Sequence, residues 1–253
     1  MILLCIIAFF IFIIFHFRLY LFLHPKDRLI VLMYHHINEK TNDGLSVDIG
    51  DLDRQFEYLR RKKYVSLFFS EIGRPVAKKI IITFDDGYKN NFDHLPDLLI
   101  KHGLKAVIFI PTHFIQHGYG SNVMMTFDEI RRLPTDVIEI GLHSHSHQNF
   151  RTLSLTQAED DLRSNMKILD DEKIRYQKVF AYPYGKHVKA KGQKKIFFNM
   201  LKKLEIDFAV RIGNRANGMR NTNPFEICRI DIKGEDSLMR FKLKLMLGKL
   251  KFF

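Results

Sequence analysis

Tryptophan is absent from the 253 residues, and only two cysteines occur, Cys5 and Cys228. Two thiols make no disulfide framework, and Cys5 lies in an apolar run, so neither reports a redox compartment. Internal repeats, low-complexity tracts and an interdomain linker are also missing. What remains is a length that suits a short appendage plus one large α/β domain. With 46% hydrophobic and 27% charged residues the composition is that of a globular chain rather than a disordered one.

The first residues do not read as a cleavable leader either. Ile2 to Phe15 is uninterrupted apolar sequence, resumed after Arg18 by Leu19–Leu23 and ended at His24-Pro25. No basic start precedes it and Ala8 is its one small residue, which argues against a signal peptide. Spanning a bilayer takes about 20 mostly apolar residues with a snorkelling arginine tolerated near an end. The expectation is therefore an uncleaved, single-pass anchor over residues 1–25 that places the protein in the cell membrane. Arg18, Lys26 and Arg28 follow the run, so the positive-inside rule puts the following domain on the cytoplasmic side.

The net charge of +12 is uneven: residues 186–253 hold 17 Lys and Arg against 6 Asp and Glu, and the first 185 hold 23 against 22. A basic final third suits an anionic partner, a membrane surface or an acidic glycan, and no nucleic-acid-binding motif accompanies it. Residues 237–253 read as a basic amphipathic helix that could lie on a membrane or pack as a last domain helix.

Between these ends, over residues 26–236, strands and helices alternate. Leu29–Tyr34, Tyr64–Phe69, Ile80–Phe84, Ala106–Ile110, Val137–Leu142, Val179–Tyr182, Phe208–Val210 and Ile227–Ile232 read as strands. Asp51–Lys63, Asn91–His102, Phe127–Leu133, Leu155–Asp171 and Lys194–Leu204 read as helices. Such alternation predicts βαβ units, and this number of units predicts an α/β fold: a (β/α) barrel of seven or eight mostly parallel strands, preceded by one transmembrane helix.

Three strand ends carry chemistry. Ile80-Ile81-Ile82-Thr83-Phe84 runs into Asp85-Asp86-Gly87. One aspartate there could be a helix cap; two side by side on a core strand need something to offset their repulsion and desolvation, and a metal would do so. Glu139-Ile140-Gly141-Leu142 leads into His143, His145 and His147. His143 and His147 can converge on one ion, with His145 pointing elsewhere. With one of the two aspartates they make a three-ligand site open to water, the pattern of catalytic zinc, and the other aspartate would sit beside that water as a base. Phe180-Ala181-Tyr182-Pro183-Tyr184-Gly185 is either an ordinary turn or a loop shaped to aim a backbone N–H at an oxyanion.

TFDDGY, EIGLHSHSH and FAYPYG, in that order, resemble the polysaccharide deacetylases of the NodB-like class, carbohydrate esterase family four. Val31–His36 and Cys228–Ile232 fit the broader family, so the likeness runs from about Arg28 to Phe241. The resemblance implies a distorted (β/α) barrel and metal-dependent removal of acetyl groups from sugars. By position, Asp85 would be the general base, Asp86, His143 and His147 would hold zinc or a similar divalent metal, and the Tyr184 backbone N–H would bind the oxyanion. The partner implied is an N-acetylated glycan or lipid-linked saccharide at a membrane. Two departures stand out. Relatives often carry an arginine two residues before the proline, where this chain has Ala181, and many have a late Leu-x-His that supplies the general acid. His35, at the first strand's end, is the substitute acid expected here; its other reading is a structural hydrogen bond beneath the site. A deformylase acting on a lipid-linked amino sugar, or a non-catalytic glycan-binding protein on the same scaffold, are the rival readings.

Overall fold

Seven stretches rich in β-branched and aromatic residues form the strands β1 (Arg28–Tyr34), β2 (Lys79–Asp85), β3 (Ala106–Ile110), β4 (Ile138–Leu142), β5 (Val179–Ala181), β6 (Phe208–Ile212) and β7 (Ile227–Asp231). The structure, a computed structural model, describes residues 2–38, 44–188 and 190–248. All seven strands pair in parallel with their neighbours in chain order, and β7 returns to β1, where Leu32 faces Ile230 and Met33 faces Asp231. The result is a closed seven-stranded (β/α) barrel. Between β4 and β5 one register pair, Leu142 with Phe180, carries the join.

The period of two along each strand sorts side chains onto two surfaces. Leu29, Val31, Ile81, Val107, Phe109 and Val179 point into the barrel, and Leu67 to Phe69 complete this inner cluster. Ile30, Leu32, Ile80, Ile82, Ile108 and Phe180 point outward to the helices. The same alternation carries Thr83, Asp85 and Arg229 inward, so charged groups enter a space that apolar residues otherwise fill.

The helices are α1 (Ile2–His16), α2 (Ile49–Arg61), α3 (Lys89–His102), α4 (Thr112–His117), α5 (Phe127–Arg132), α6 (Leu155–Asp171), α7 (Lys191–Lys203) and α8 (Leu238–Leu247). Ser154 caps α6: its hydroxyl accepts from the Gln157 N–H at 3.2 Å. The strand expected over 64–69 shrinks to Val65–Ser66, followed by a short 3-10 turn at Phe69–Glu71.

The expected transmembrane helix is corrected. No helix among the described residues is long and apolar enough to cross a membrane. α1 has 15 residues, or about 22 Å at 1.5 Å per residue, short of the roughly 30 Å of a hydrocarbon core. The apolar run is broken at Arg18, which adopts φ 53° and donates from Nη1 to the Ala216 carbonyl at 2.9 Å. Beyond the break, Leu19–Leu23 is a 3-10 turn whose Leu21 is buried in the outer core. Hydropathy alone counted these residues as one span, whereas Leu21 belongs to the barrel domain. The single-pass location in the cell membrane, and the cytoplasmic facing inferred from flanking charges, fall with the span.

At the other end α8 buries Phe241, Lys244 and Leu245. Lys244 Nζ donates to the Asp231 carbonyl at 2.7 Å and pairs with Asp236, and Arg28 Nη2 donates to the Leu245 carbonyl at 2.6 Å. Of the expected helix over 237–253, residues 249–253 lie outside the described residues.

Candidate active site

All three sequence stretches meet at the carboxyl-terminal mouth of the barrel. Asp85 ends β2 with its side chain inside the barrel, 2% exposed. Arg229 from β7, fully buried, grips it at both oxygens: Nη1 donates to Oδ1 at 2.6 Å and Nη2 to Oδ2 at 2.7 Å. Nη1 also reaches Thr83 Oγ1 at 3.2 Å, whose hydroxyl donates to the Leu32 carbonyl at 2.6 Å. The guanidinium lies over the Phe109 ring at 5.5 Å. Phe109 has room because residue 141 on the neighbouring strand is glycine; a Cβ there would come within 2.5 Å of the ring. Burial by itself would raise the Asp85 carboxyl, but Arg229, with His143 and His35, outweighs it and holds the group below the usual carboxylate range.

Arg229 therefore supplies the cation that the sequence lacks at Ala181. Its signal was available: in a strand of period two, Arg229 shares a face with Ile227 and must point into the barrel, where an unpaired charge is untenable.

Asp86 follows in a left-handed conformation, φ 75°. Its Oδ2 accepts from the Tyr88 hydroxyl at 3.0 Å. Its Oδ1 lies 3.5 Å from His143 Nε2 and 3.3 Å from His147 Nε2 yet accepts no well-formed hydrogen bond, leaving a buried oxygen aimed between two imidazoles. Burial raises this carboxyl, and the close imidazole of His143, together with His35 and His147, reverses the effect, holding it well below its ordinary value.

His143 Nδ1–H donates to the Ala181 carbonyl at 2.8 Å, which turns Nε2 toward both aspartates. Burial lowers its imidazole, and Asp85 and Asp86 more than compensate. His147, at φ 55°, is pushed down to about 4 by burial and by His143. Its backbone N–H is held by Ser144 Oγ at 3.0 Å. His145 turns away, its Nδ1 3.0 Å from Thr112 Oγ1.

Asp86, His143 and His147 each offer one ligand atom within 4.8 Å of the others, all three side chains buried. Two imidazole nitrogens and a carboxylate, with an orphaned oxygen between them and an oxygen behind one ring, fit a divalent metal of the zinc kind.

Tyr184 sits at φ 57°, its ring 54% exposed and 4.9 Å from that of His147. Gly185, at φ 62°, follows because a Cβ there would come within 2.3 Å of Ile212. Asp86, Ser144, His147 and Tyr184 thus all carry positive φ at one mouth; each costs of order 1–3 kcal/mol, strain characteristic of functional sites.

Of the remaining histidines, His35 Nε2 lies 3.9 Å from Asp85 Oδ2, and its Nδ1 is buried without a partner. His187 is tied instead to the Val188 carbonyl and to Glu226. Sequence reasoning missed Tyr88, which anchors Asp86. It also missed Tyr119, whose ring stacks on Phe114 at 4.0 Å and lies 6.5 Å from His147.

The polysaccharide deacetylase family model matches residues 73–207, more than half of the chain, and includes Asp85, Asp86, His143, His147 and Tyr184 but neither His35 nor Arg229. Among curated proteins the chain is 26% identical over 167 residues to YxkH of Bacillus subtilis (strain 168), named a candidate polysaccharide deacetylase, covering 63% of this chain and 58% of that one. It is 30% identical over 132 residues to the peptidoglycan-N-acetylmuramic acid deacetylase PdaA of the same organism, covering 50% and 46%. The chain thus spans less than two thirds of the length of these relatives. Among solved structures, the Streptococcus pyogenes deacetylase PplD in complex with acetate shares the fold, with a TM-score of 0.73, 20% identity, and coverage of 87% of this chain and 98% of that one. Arrived at from its motifs, its barrel and this match, the chain belongs to the polysaccharide deacetylase family, the NodB-like hydrolases of carbohydrate esterase family four.

Proposed function

We propose that the protein is a metal-dependent hydrolase that removes acetyl groups from an N-acetylated sugar of a cell-surface polysaccharide or its lipid-linked precursor. The observation that carries this reading is the juxtaposition, at one mouth, of a buried Asp86–His143–His147 cluster and an Asp85 carboxylate locked by Arg229. Asp86, His143 and His147 would hold the ion, zinc suiting the donor set, and when bound it supplies Lewis acidity that lowers the pKa of water toward ~7.

The chain's own residues do the rest. Asp85, kept ionised by Arg229, accepts the proton of the attacking water at a carboxylate oxygen. A carboxylate so stabilised is a weak base, so the water it deprotonates would have to be acidified, which is the chemistry the bound ion would supply. The Tyr184 backbone N–H is the donor for the oxyanion that develops on the acyl oxygen. His35, whose Nε2 lies 3.9 Å from Asp85 Oδ2, is the acid that delivers a proton to the departing sugar nitrogen as the C–N bond breaks, leaving acetate and a free amine. The exposed rings of Tyr119 and Tyr184 flank His147 and offer apolar faces to a sugar.

The name of PdaA specifies an N-acetylated amino sugar as that relative's target, which supports the substrate class. The non-catalytic reading draws its support from the missing arginine and the missing late histidine; Arg229 answers the first, and His35 is the group proposed here to answer the second. The test is acetate release from N-acetylglucosamine and N-acetylmuramic acid polymers by the full chain supplied with zinc. Acetate that disappears in Asp85→Asn is the expected result. No acetate from any of these polymers overturns the reading, and formate from N-formylated sugars in its place would make the protein a deformylase.

A further inference from the structure

Three more histidines gather on the outer side of the loop that carries His143 and His147. α4 presents His113 and His117 one helical turn apart on a single face, the i, i+4 spacing by which helices offer paired imidazoles to a metal. Their ring centroids are 4.5 Å apart. His145 brings its ring centroid to 5.5 Å from that of His113. These separations bracket the 4.8 Å between His143 and His147 in the inner cluster. They also bracket the roughly 5 Å expected when two imidazoles share one tetrahedral ion at Zn–N distances of about 2.0–2.1 Å.

The surroundings suit the purpose. His145 Nδ1 lies 3.0 Å from Thr112 Oγ1, which in turn receives the Asn165 amide at 3.2 Å. With Nδ1–H donating to that oxygen, Nε2 carries the lone pair, the arrangement found behind metal-binding imidazoles. Asp161, the nearest carboxylate on α6, is engaged with the backbone N–H groups of His145 and Ser146 at 3.0 and 2.9 Å. Its two oxygens thereby fix the loop through the backbone. The His113 N–H donates to the His145 carbonyl at 3.1 Å, so the helix and the loop are already tied together. Both His113 and His117 are exposed, open to an ion and free to turn. As they stand, the three rings do not bring one nitrogen each within 4.8 Å, so binding rotates the two exposed side chains toward His145.

We infer that His113, His117 and His145 form a second, surface site for a borderline-soft transition-metal cation such as Zn2+, separate from the Asp86–His143–His147 cluster. Water completes its coordination. This inference does not depend on the deacetylase reading.

The test uses the full chain, stripped with chelator and equilibrated with Zn2+ alone, with bound zinc counted per chain by equilibrium dialysis and elemental analysis. Two equivalents are expected in the wild type. The double variant His113→Ala/His117→Ala, altered only at exposed positions, should retain one. Asp86→Ala/His143→Ala should also retain one, and the combination none. Thr112→Val should weaken the outer equivalent about 10-fold or more and leave the inner one in place. Should the inner-cluster variant fail to fold, the one-equivalent difference between wild type and His113→Ala/His117→Ala still decides. Two equivalents persisting in that variant, or a single wild-type equivalent that it does not remove, overturns the inference.

Discussion

The two ends of the barrel treat an inward-facing carboxyl in opposite ways. At the mouth, Asp85 and Asp86 are sunk in the protein but surrounded by Arg229, His35, His143 and His147, and both are held below their ordinary values. Near the strand starts, Glu139 faces inward with one hydrogen bond, from Gln177 Nε2 at 3.1 Å, and its Oε2 is buried without a partner. Burial and the charge of Glu71 push it up to about 6. Depth alone therefore does not decide protonation; the counter-charges do. The mouth keeps carboxylates ready to accept protons, and the far end holds a carboxyl that gives its proton up only near pH 6.

The largest effect should come from removing the mouth's proton acceptor. Asp85→Asn should lower turnover by about 10²–10⁴ while zinc content stays unchanged; equal turnover would end Asp85's role as base. Making the mouth resemble the far end is the next step. Arg229→Met leaves Asp85 buried without its bidentate partner, at a cost of up to about 3–5 kcal/mol read by denaturant unfolding at pH 7. Asp85→Asn added to Arg229→Met should recover part of that loss, because no orphan charge then remains. In whatever fraction of Arg229→Met stays folded, burial acts on Asp85 with less opposition. The acid limb of its pH–rate profile should then move to higher pH.

His35→Ala separates the acid role from a structural one: a loss of roughly 10² or more is expected, and tenfold or less would leave His35 a supporting group. Tyr119→Ala removes one ring beside His147 and should raise KM severalfold with kcat little changed, in line with about 0.5–1.5 kcal/mol for an aromatic contact. The smallest effect is at the far end. Glu139 holds its proton higher in the folded chain than in the unfolded one, so stability falls as pH rises from about 4.5 through about 6. Glu139→Gln should remove that fall and stabilise the protein at pH 8 but not at pH 4. Because Glu139 is only half buried, the gain should stay below about 1 kcal/mol.

What could be read from the sequence was set by short-range chemistry. β-branched runs closed by Asp85-Asp86 or His143 announce a strand and its functional end in one stretch, and the structure puts those ends together. Seven of the eight expected strands form the barrel wall because a parallel strand needs an apolar run on both faces. Contacts between distant residues were harder. That Arg229 on β7 holds Asp85 on β2 depends on how the sheet closes, although the inward face of Arg229 was predictable. α4 was missed because six residues with exposed histidines at the second and last positions have too little apolar periodicity to register. The first apolar run misled for a related reason: hydropathy is summed without regard to backbone. The left-handed turn at Arg18 and the burial of Leu21 are set by Ala216 and the domain surface.

The join between β4 and β5 carries a further consequence. One register pair links these strands, and the hydrogen bond from His143 to the Ala181 carbonyl spans the same gap. The imidazole is therefore a rivet in the barrel wall as well as a member of the cluster at its mouth. If the wall parts there, the rivet shears and the cluster loses the ring that Ala181 was steering. Breathing of the barrel and loosening of its reactive centre become one event, and whatever grips His143 from inside also clamps the wall shut.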